Sequence, residues 1–138
     1  MLDHIAARFL AETPDGATVA DAKGTITFWN AGCQRIFGFT ADEAIGQSLD
    51  IIIPENLRAR HWHGWQQTMR TGATRYGAGD LLFVPALLKD GTRLSVEFSI
   101  LPFRDQHGAI TGMGAIMRDV TKRFKELKAL RKAAAGRT

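Results

Sequence analysis

The densest run of reactive side chains in the 138-residue chain is Arg58, Arg60, His61, Trp62, His63 and Trp65. Imidazole is the group here that can ligate a metal ion or move a proton near neutral pH. His61 and His63 stand two residues apart, so on a helix they point to different faces and cannot grip one ion together. With Glu55 nearby, the trio His61-Trp62-His63 therefore does not read as a zinc site. The chain has no Gly-x-Ser-x-Gly elbow, no phosphate-binding glycine loop ending in Lys-Ser/Thr and no His-Glu-x-x-His pair, so an enzyme is not expected. The single cysteine, Cys33, excludes an intrachain disulfide and a cysteine-cluster zinc site, and reads as a small buried hydrophobe.

The elements around these residues follow from hydrophobic period and turn chemistry. Leu2, Ile5, Ala6, Phe9 and Leu10 recur at helical spacing and predict an N-terminal amphipathic helix. Asp15-Gly16 marks a turn. Ala17 to Ala20 and Thr25 to Trp29 form a hairpin about Asp21-Ala22-Lys23-Gly24. Asn30 can cap a helix carrying Cys33, Ile36 and Phe37 that ends at Gly38. Thr40-Ala41-Asp42-Glu43 is a capping box opening a short helix closed by Gly46. Ile51-Ile52-Ile53-Pro54 reads as a buried connector. From Glu55 to about Thr71 the pattern is helical, with Leu57, His61, Trp65 and Met69 on one stripe. Leu81 to Leu88 then leads through the turn Lys89-Asp90-Gly91 into strict alternation, with Leu94, Val96, Phe98 and Ile100 on one face. A turn at Asp105 to Gly108 and a strand from Ile110 to Met117 follow. An exit helix starts near Val120, with Val120, Phe124, Leu127 and Leu130 in a narrow stripe. Separated strand groups around a helical middle predict an α+β fold with an antiparallel sheet.

Length and 45% hydrophobic residues suit one compact core. The net charge of +4 comes from the tail, where Lys122, Arg123, Lys125, Lys128, Arg131, Lys132 and Arg137 face only Glu126. Such a run reads as a solvated helix face, with no specific nucleic acid as partner. Leu81 to Leu88 contains Pro85 and is too short to span a bilayer, and Asp3, His4 and Arg8 interrupt the N-terminus, so no signal peptide is expected and a cytoplasmic location is.

This order of elements resembles a PAS domain over nearly the whole chain. Asp15-Gly16-Ala17, Asp21, Gly24-Thr25-Ile26 and Asn30-Ala31 are similar to the first hairpin and helix of that family. Phe37-Gly38-Phe39-Thr40, Glu43, Gly46 and Pro54 resemble its middle. Lys89-Asp90-Gly91 resembles its hairpin turn, and Arg118-Asp119-Val120-Thr121 the junction from last strand to signalling helix. The resemblance implies a PAS fold, a five-stranded antiparallel sheet with flanking helices. Residues 1–14 would form the N-terminal helix, 15–119 the core, and 120–138 the exit helix and basic tail.

In haem-binding PAS oxygen sensors a histidine on the long middle helix coordinates the iron. His61, about three turns before Thr71-Gly72, is similar to it in spacing, with His63 as the alternative. The aromatic that follows such a histidine is here Trp65, one position late. The resemblance implies haem b, with Leu94, Val96, Phe98 and Ile100 as a facing wall continued by Met113, Ala115 and Met117. Arg75 falls where these sensors pair a propionate, and Arg58 or Arg60 could serve instead. Rhizobial-type sensors place an oxygen-contacting arginine where this chain has Leu81 or Leu82. An apolar distal side would favour carbon monoxide or nitric oxide, or Met113 or Met117 as an internal sixth ligand.

Flavin is the next cofactor, although the reactive Asn-Cys-Arg-Phe-like motif of photosensory PAS domains is absent and Cys33 lies on an earlier helix. The rival from another class is a PAS interaction and dimerisation module without haem. In either case a homodimer is expected, built on the opening or exit helix. The expected signal, from a diatomic gas or redox change, passes through Asp119, Val120 and Thr121 to a separate protein such as a histidine kinase or regulator.

Overall fold

The computed structural model describes residues 2–77 and 79–136. The chain runs α1 (Leu2–Glu12), β1 (Gly16–Asp21), β2 (Ile26–Trp29), α2 (Ala31–Phe37), α3 (Ala41–Ala44), a 3-10 turn (Leu49–Ile52), α4 (Glu55–Thr71), β3 (Leu82–Leu87), β4 (Arg93–Arg104), β5 (Ile110–Asp119) and α5 (Thr121–Ala135). The five strands form one antiparallel sheet in the order β2-β1-β5-β4-β3, with the helices flanking it, so the first and last strands in sequence pair at its centre.

The capping residues act as their chemistry predicts. Asn30 is buried, and its Oδ1 accepts the N–H groups of Ala17 at 2.8 Å and Cys33 at 2.9 Å. Its Nδ2 donates to the carbonyls of Leu10 at 2.9 Å and Asp15 at 3.0 Å. One amide thus ties the end of α1 to the start of β1 and caps α2. Thr40 and Glu43 form the reciprocal capping box of α3. Gly38 ends α2 at φ 89°, a left-handed conformation that glycine adopts without a Cβ penalty.

Where the structure departs from the sequence pattern, pairing decides. The connector at Ile51 to Ile53 is the end of a 3-10 turn that Ser48 caps through the N–H of Asp50. Strand β4 continues past Ile100 to Arg104, through Pro102, because β5 supplies a partner along that length.

The core lies between the sheet and α2, α3 and the 3-10 turn. Ile26, Trp29, Cys33, Phe37, Ala44, Ile52, Ala86, Leu94, Val96 and Met117 are its buried members. Trp29 packs on Phe37 with ring centroids 5.5 Å apart and donates its indole N–H to Phe39 O at 2.9 Å, so its one polar atom is satisfied. Truncating Phe37, which is wholly buried, costs about 3–5 kcal/mol by lost transfer energy and the cavity left behind. No helix among the described residues is long and apolar enough to cross a membrane.

Candidate functional site

Helix α4 is held to the sheet at both ends. Arg93 at the start of β4 donates to Asn56 Oδ1 at 2.6 Å, and Arg104 at its end donates to Gly72 O at 2.8 Å. Between these ties, α4 turns Leu57, Arg58, His61, Trp62, Trp65, Thr68 and Met69 inward, each half-buried, while Arg60, His63, Gly64 and Gln67 are exposed. The helix contains no fully buried residue.

His61 is the distinctive member of that stripe. Its Nδ1 is enclosed and has no hydrogen-bond partner. Burial holds the imidazole below its ordinary pKa, partly opposed by the Asp50 carboxylate. The ring is therefore neutral at pH 7 and keeps a lone pair for a ligand. Two indoles pack against it, Trp62 edge-on at 4.5 Å and Trp65 tilted at 5.8 Å between centroids. His63 lies on the outer face, so of the two histidines only His61 belongs to the interior.

The strand residues expected to form a wall occupy a common face by register. Leu82 pairs with Phe98 and Phe98 with Met117, Ile100 pairs with Ala115, and Pro102 with Met113. Met117 is buried in the core, whereas Leu82, Phe98, Ile100, Met113 and Ala115 are half-buried. Well-packed interiors close such faces. The strand face is thus incompletely covered, and α4 above it has no buried residue. Leu81, by contrast, is 64% exposed, because one step along a strand reverses the face; of the Leu81/Leu82 pair, Leu82 is the inward residue.

The three arginines divide. Arg58 is committed to the 3-10 turn, donating to Ile53 O at 3.0 Å and Asp50 O at 3.2 Å. Arg60 and Arg75 are exposed and pair with no described residue, and Arg75 lies in the loop just after α4. No group of three or more His, Cys, Asp or Glu among the described residues is placed to hold a metal ion, so a lone imidazole would have to be supplemented by a prosthetic group. An apolar strand face, a neutral inward imidazole and an exposed arginine in the loop after α4 are groups that a haem with its two propionates would use, and these residues fit it. Clefts of about 450 Å³ beside α1 and about 230 Å³ beside Arg118 lie away from His61 and open to solvent, and neither contains a ligating side chain in comparable enclosure.

Cys33 is buried on α2, and burial pushes its thiol up to about 12, outweighing the N–H bond from the Asn30 region. A thiol in that state is unreactive, in keeping with a packing role.

The exit from the sheet is a compact network. Asp119 Oδ1 accepts from Thr121 N at 2.9 Å and Thr121 Oγ1 at 2.6 Å. Thr121 Oγ1 in turn accepts from Ser95 N at 2.9 Å, and Val120 N donates to Ser95 O at 2.9 Å. The residues expected to transmit a signal thus join β4, β5 and α5. Sequence reasoning missed Asp50, Ala22 and Gly24, which touch the tryptophans of α4. Contacts across so many residues leave no local pattern, although Gly24 reads as a turn residue from sequence.

Comparison with known proteins agrees with the architecture. A family profile described as PAS fold matches residues 10–124. Sensor protein FixL of Bradyrhizobium diazoefficiens is 31% identical over 109 residues, covering 79% of this chain and 21% of its own. Oxygen sensor protein DosP of Escherichia coli is 25% identical over 85 residues, covering 62% of this chain and 10% of its own. The chain therefore spans about a fifth of the first relative and a tenth of the second. An RNA-binding Light-Oxygen-Voltage receptor superposes with a TM-score of 0.78 at 22% identity, covering 97% of this chain and 37% of that one, a likeness of fold. With the sheet order, the caps and a profile running through nearly every element, the chain belongs to the PAS fold family.

Proposed function

We propose that this PAS domain binds haem b through His61 and senses a diatomic gas or a redox change. The observation that carries the reading is the half-buried His61 imidazole, held below its ordinary pKa by burial, on the inward stripe of α4. Haem, when bound, supplies an iron with one face open to a small ligand. The chain's own part is to hold His61 in a fixed orientation, to keep water from the apolar layer of Leu82, Phe98, Ile100, Met113 and Ala115, and to meet propionates with Arg75 or Arg60. Leu82 offers no charged donor on the far side, which favours carbon monoxide or nitric oxide over oxygen. The similarity to one relative named as an oxygen sensor and another named as a sensor supports the class of input.

Output would pass through Asp119, Val120 and Thr121 into α5, toward a separate signalling protein such as a histidine kinase, with the domain acting as a homodimer. The test is an absorption spectrum after haem reconstitution, wild type beside His61→Ala. A Soret band lost or shifted in the variant supports His61 as ligand. An unchanged band moves the ligand elsewhere, and no specific uptake by the wild type removes the haem reading.

A second reading is an interaction module without haem, or with flavin or another organic ligand. Its supporting observation is the exposed apolar surface of α1, where Leu2 is 77% and Phe9 75% accessible. Absence of any bound chromophore, together with concentration-dependent self-association, is the outcome that favours it.

A further inference from the structure

The two indoles beside His61 are each pinned at the N–H. Trp62 Nε1 donates to Asp50 Oδ1 at 2.7 Å, and Trp65 Nε1 donates to Ala22 O at 2.8 Å. Their rings also meet each other, tilted 72° with centroids 5.6 Å apart. The Trp62 ring lies over Gly24, where any Cβ would collide with it. Asp50 is itself held in place, since its carbonyl accepts from Arg58 and its carboxylate lies 3.9 Å from the same guanidinium. His61 therefore packs against a pair of rings that are anchored on two other elements, the 3-10 turn and the β1–β2 turn.

An imidazole that ligates a metal usually has its second nitrogen bonded to an acceptor, which fixes the ring. His61 Nδ1 has no such bond. Something else must set its orientation, and the two indoles pack against it. We propose that Asp50, Trp62 and Trp65 are positioning residues that fix the plane of the His61 ring, an inference that rests on His61 being the haem ligand. In this arrangement a hydrogen bond on the back of an indole replaces the usual hydrogen bond on the imidazole. Movement of His61 would then be felt at the β1–β2 turn as well as along α4.

The experiment uses the whole chain, first haem-free. The His61 ring signals in protein carrying ¹⁵N-labelled histidine report ring order, and Soret absorbance during haem titration reports affinity. Asp50→Ala and Trp62→Leu should shift and broaden the His61 signals and weaken haem binding about 10- to 100-fold, the range for residues that orient a metal ligand. Asp50→Asn keeps an oxygen acceptor for Trp62 and should restore both readouts, which a purely charge-based role of Asp50 would not. Should Asp50→Ala fail to fold, Trp62→Phe, which keeps a ring beside His61 but loses the N–H, decides the matter. His61 signals left unchanged by loss of the Asp50–Trp62 bond overturn the proposal. That readout stands even if the wild type takes up no haem, a result that would instead remove the ligand assignment.

Discussion

Asp15 and Arg118 face each other across 103 residues of sequence, with both carboxylate oxygens within 3.2 Å of the guanidinium. Asp15 ends the segment that leads from α1, and Arg118 immediately precedes Asp119, the acceptor for Thr121 at the start of α5. Two adjacent residues of β5 therefore hold the entrance and the exit of the domain. Arg118 is raised above its ordinary pKa by the hydrogen bonds it donates to Asp15 and by the charge of that carboxylate.

Each tie can be cut separately. Asp15→Ala should leave the denaturation midpoint nearly unchanged, because solvent screens an exposed pair. It should speed tryptic cleavage at Arg8 by loosening α1. Asp119→Ala removes two hydrogen bonds at the start of α5 and should cost about 1 kcal/mol in urea unfolding, as loss of a cap does. In the functional assay, ligand affinity should persist in Asp119→Ala while ligand-dependent change in oligomeric state or partner output falls. An unchanged response removes Asp119 from the transmission route.

Gly24 is a sharper test of the α4 packing. Its φ is +85°, which an L side chain rarely adopts, and its missing Cβ is the space that Trp62 occupies. Gly24→Ala should destabilise the domain by about 3 kcal/mol, combining left-handed strain with overpacking. In the background of Trp62→Ala the steric part disappears, so the same substitution should cost only about 1–2 kcal/mol. Equal costs in the two backgrounds would show that Trp62 does not press on the turn.

The contrast between these sites explains what could be read in advance. Asn30, Thr40 and Gly38 were legible because a cap is chosen by its immediate neighbours. Preferring His61 to His63 rests on the spacing to Thr71-Gly72 that resembles the haem-binding sensors, and the helical repeat also puts His61 on the stripe of Leu57, Trp65 and Met69. The enclosure of His61 was not legible, because it depends on Trp62 meeting Asp50 and Trp65 meeting Ala22, pairs fixed only when separate elements pack. The inward choice of Leu82 over Leu81 depended likewise on register with Phe98. The commitment of Arg58 to two carbonyls of the 3-10 turn could not be separated, from sequence, from the exposure of Arg75.

Stability should depend on pH through His61. Its folded pKa lies below the ordinary value of 6.5, because burial disfavours the charged ring more than Asp50 favours it. The unfolded chain then binds the proton more readily, so stability is full above about pH 6.5 and declines as pH falls toward the folded pKa. The thermal midpoint of the haem-free protein should drop between pH 7 and pH 5.5, and His61→Gln should flatten that slope. Glu43 and Asp90 contribute in a separate, lower window. Their carboxyls are held below the ordinary range, Glu43 first by the Lys89 bond and Asp90 first by the Thr92 hydroxyl, so their share is lost only in more acid solution. A slope near pH 6 that survives His61→Gln would assign it to another group.

Self-association should use α1 rather than α5. Both helices show apolar surface, with Ile5 55% and Phe9 75% exposed on α1, and Leu127 42% and Leu130 66% on α5. Charge separates them. Helix α5 carries Lys122, Arg123, Lys125, Lys128, Arg131 and Lys132 against Glu126, so two copies aligned side by side would repel. Phe124 is also partly spent on Phe83, its ring 6.1 Å away. Helix α1 has Asp3, Arg8 and Glu12, the last two paired with each other, and no buried residue of its own. Phe9→Asp should therefore weaken self-association about 100-fold or more in sedimentation velocity, since a carboxylate in an apolar contact must be desolvated. Leu127→Asp should leave it intact. A wild-type dimer that tightens with salt and is broken by Leu127→Asp, but not by Phe9→Asp, would place the contact on α5, with counterions overcoming the repulsion.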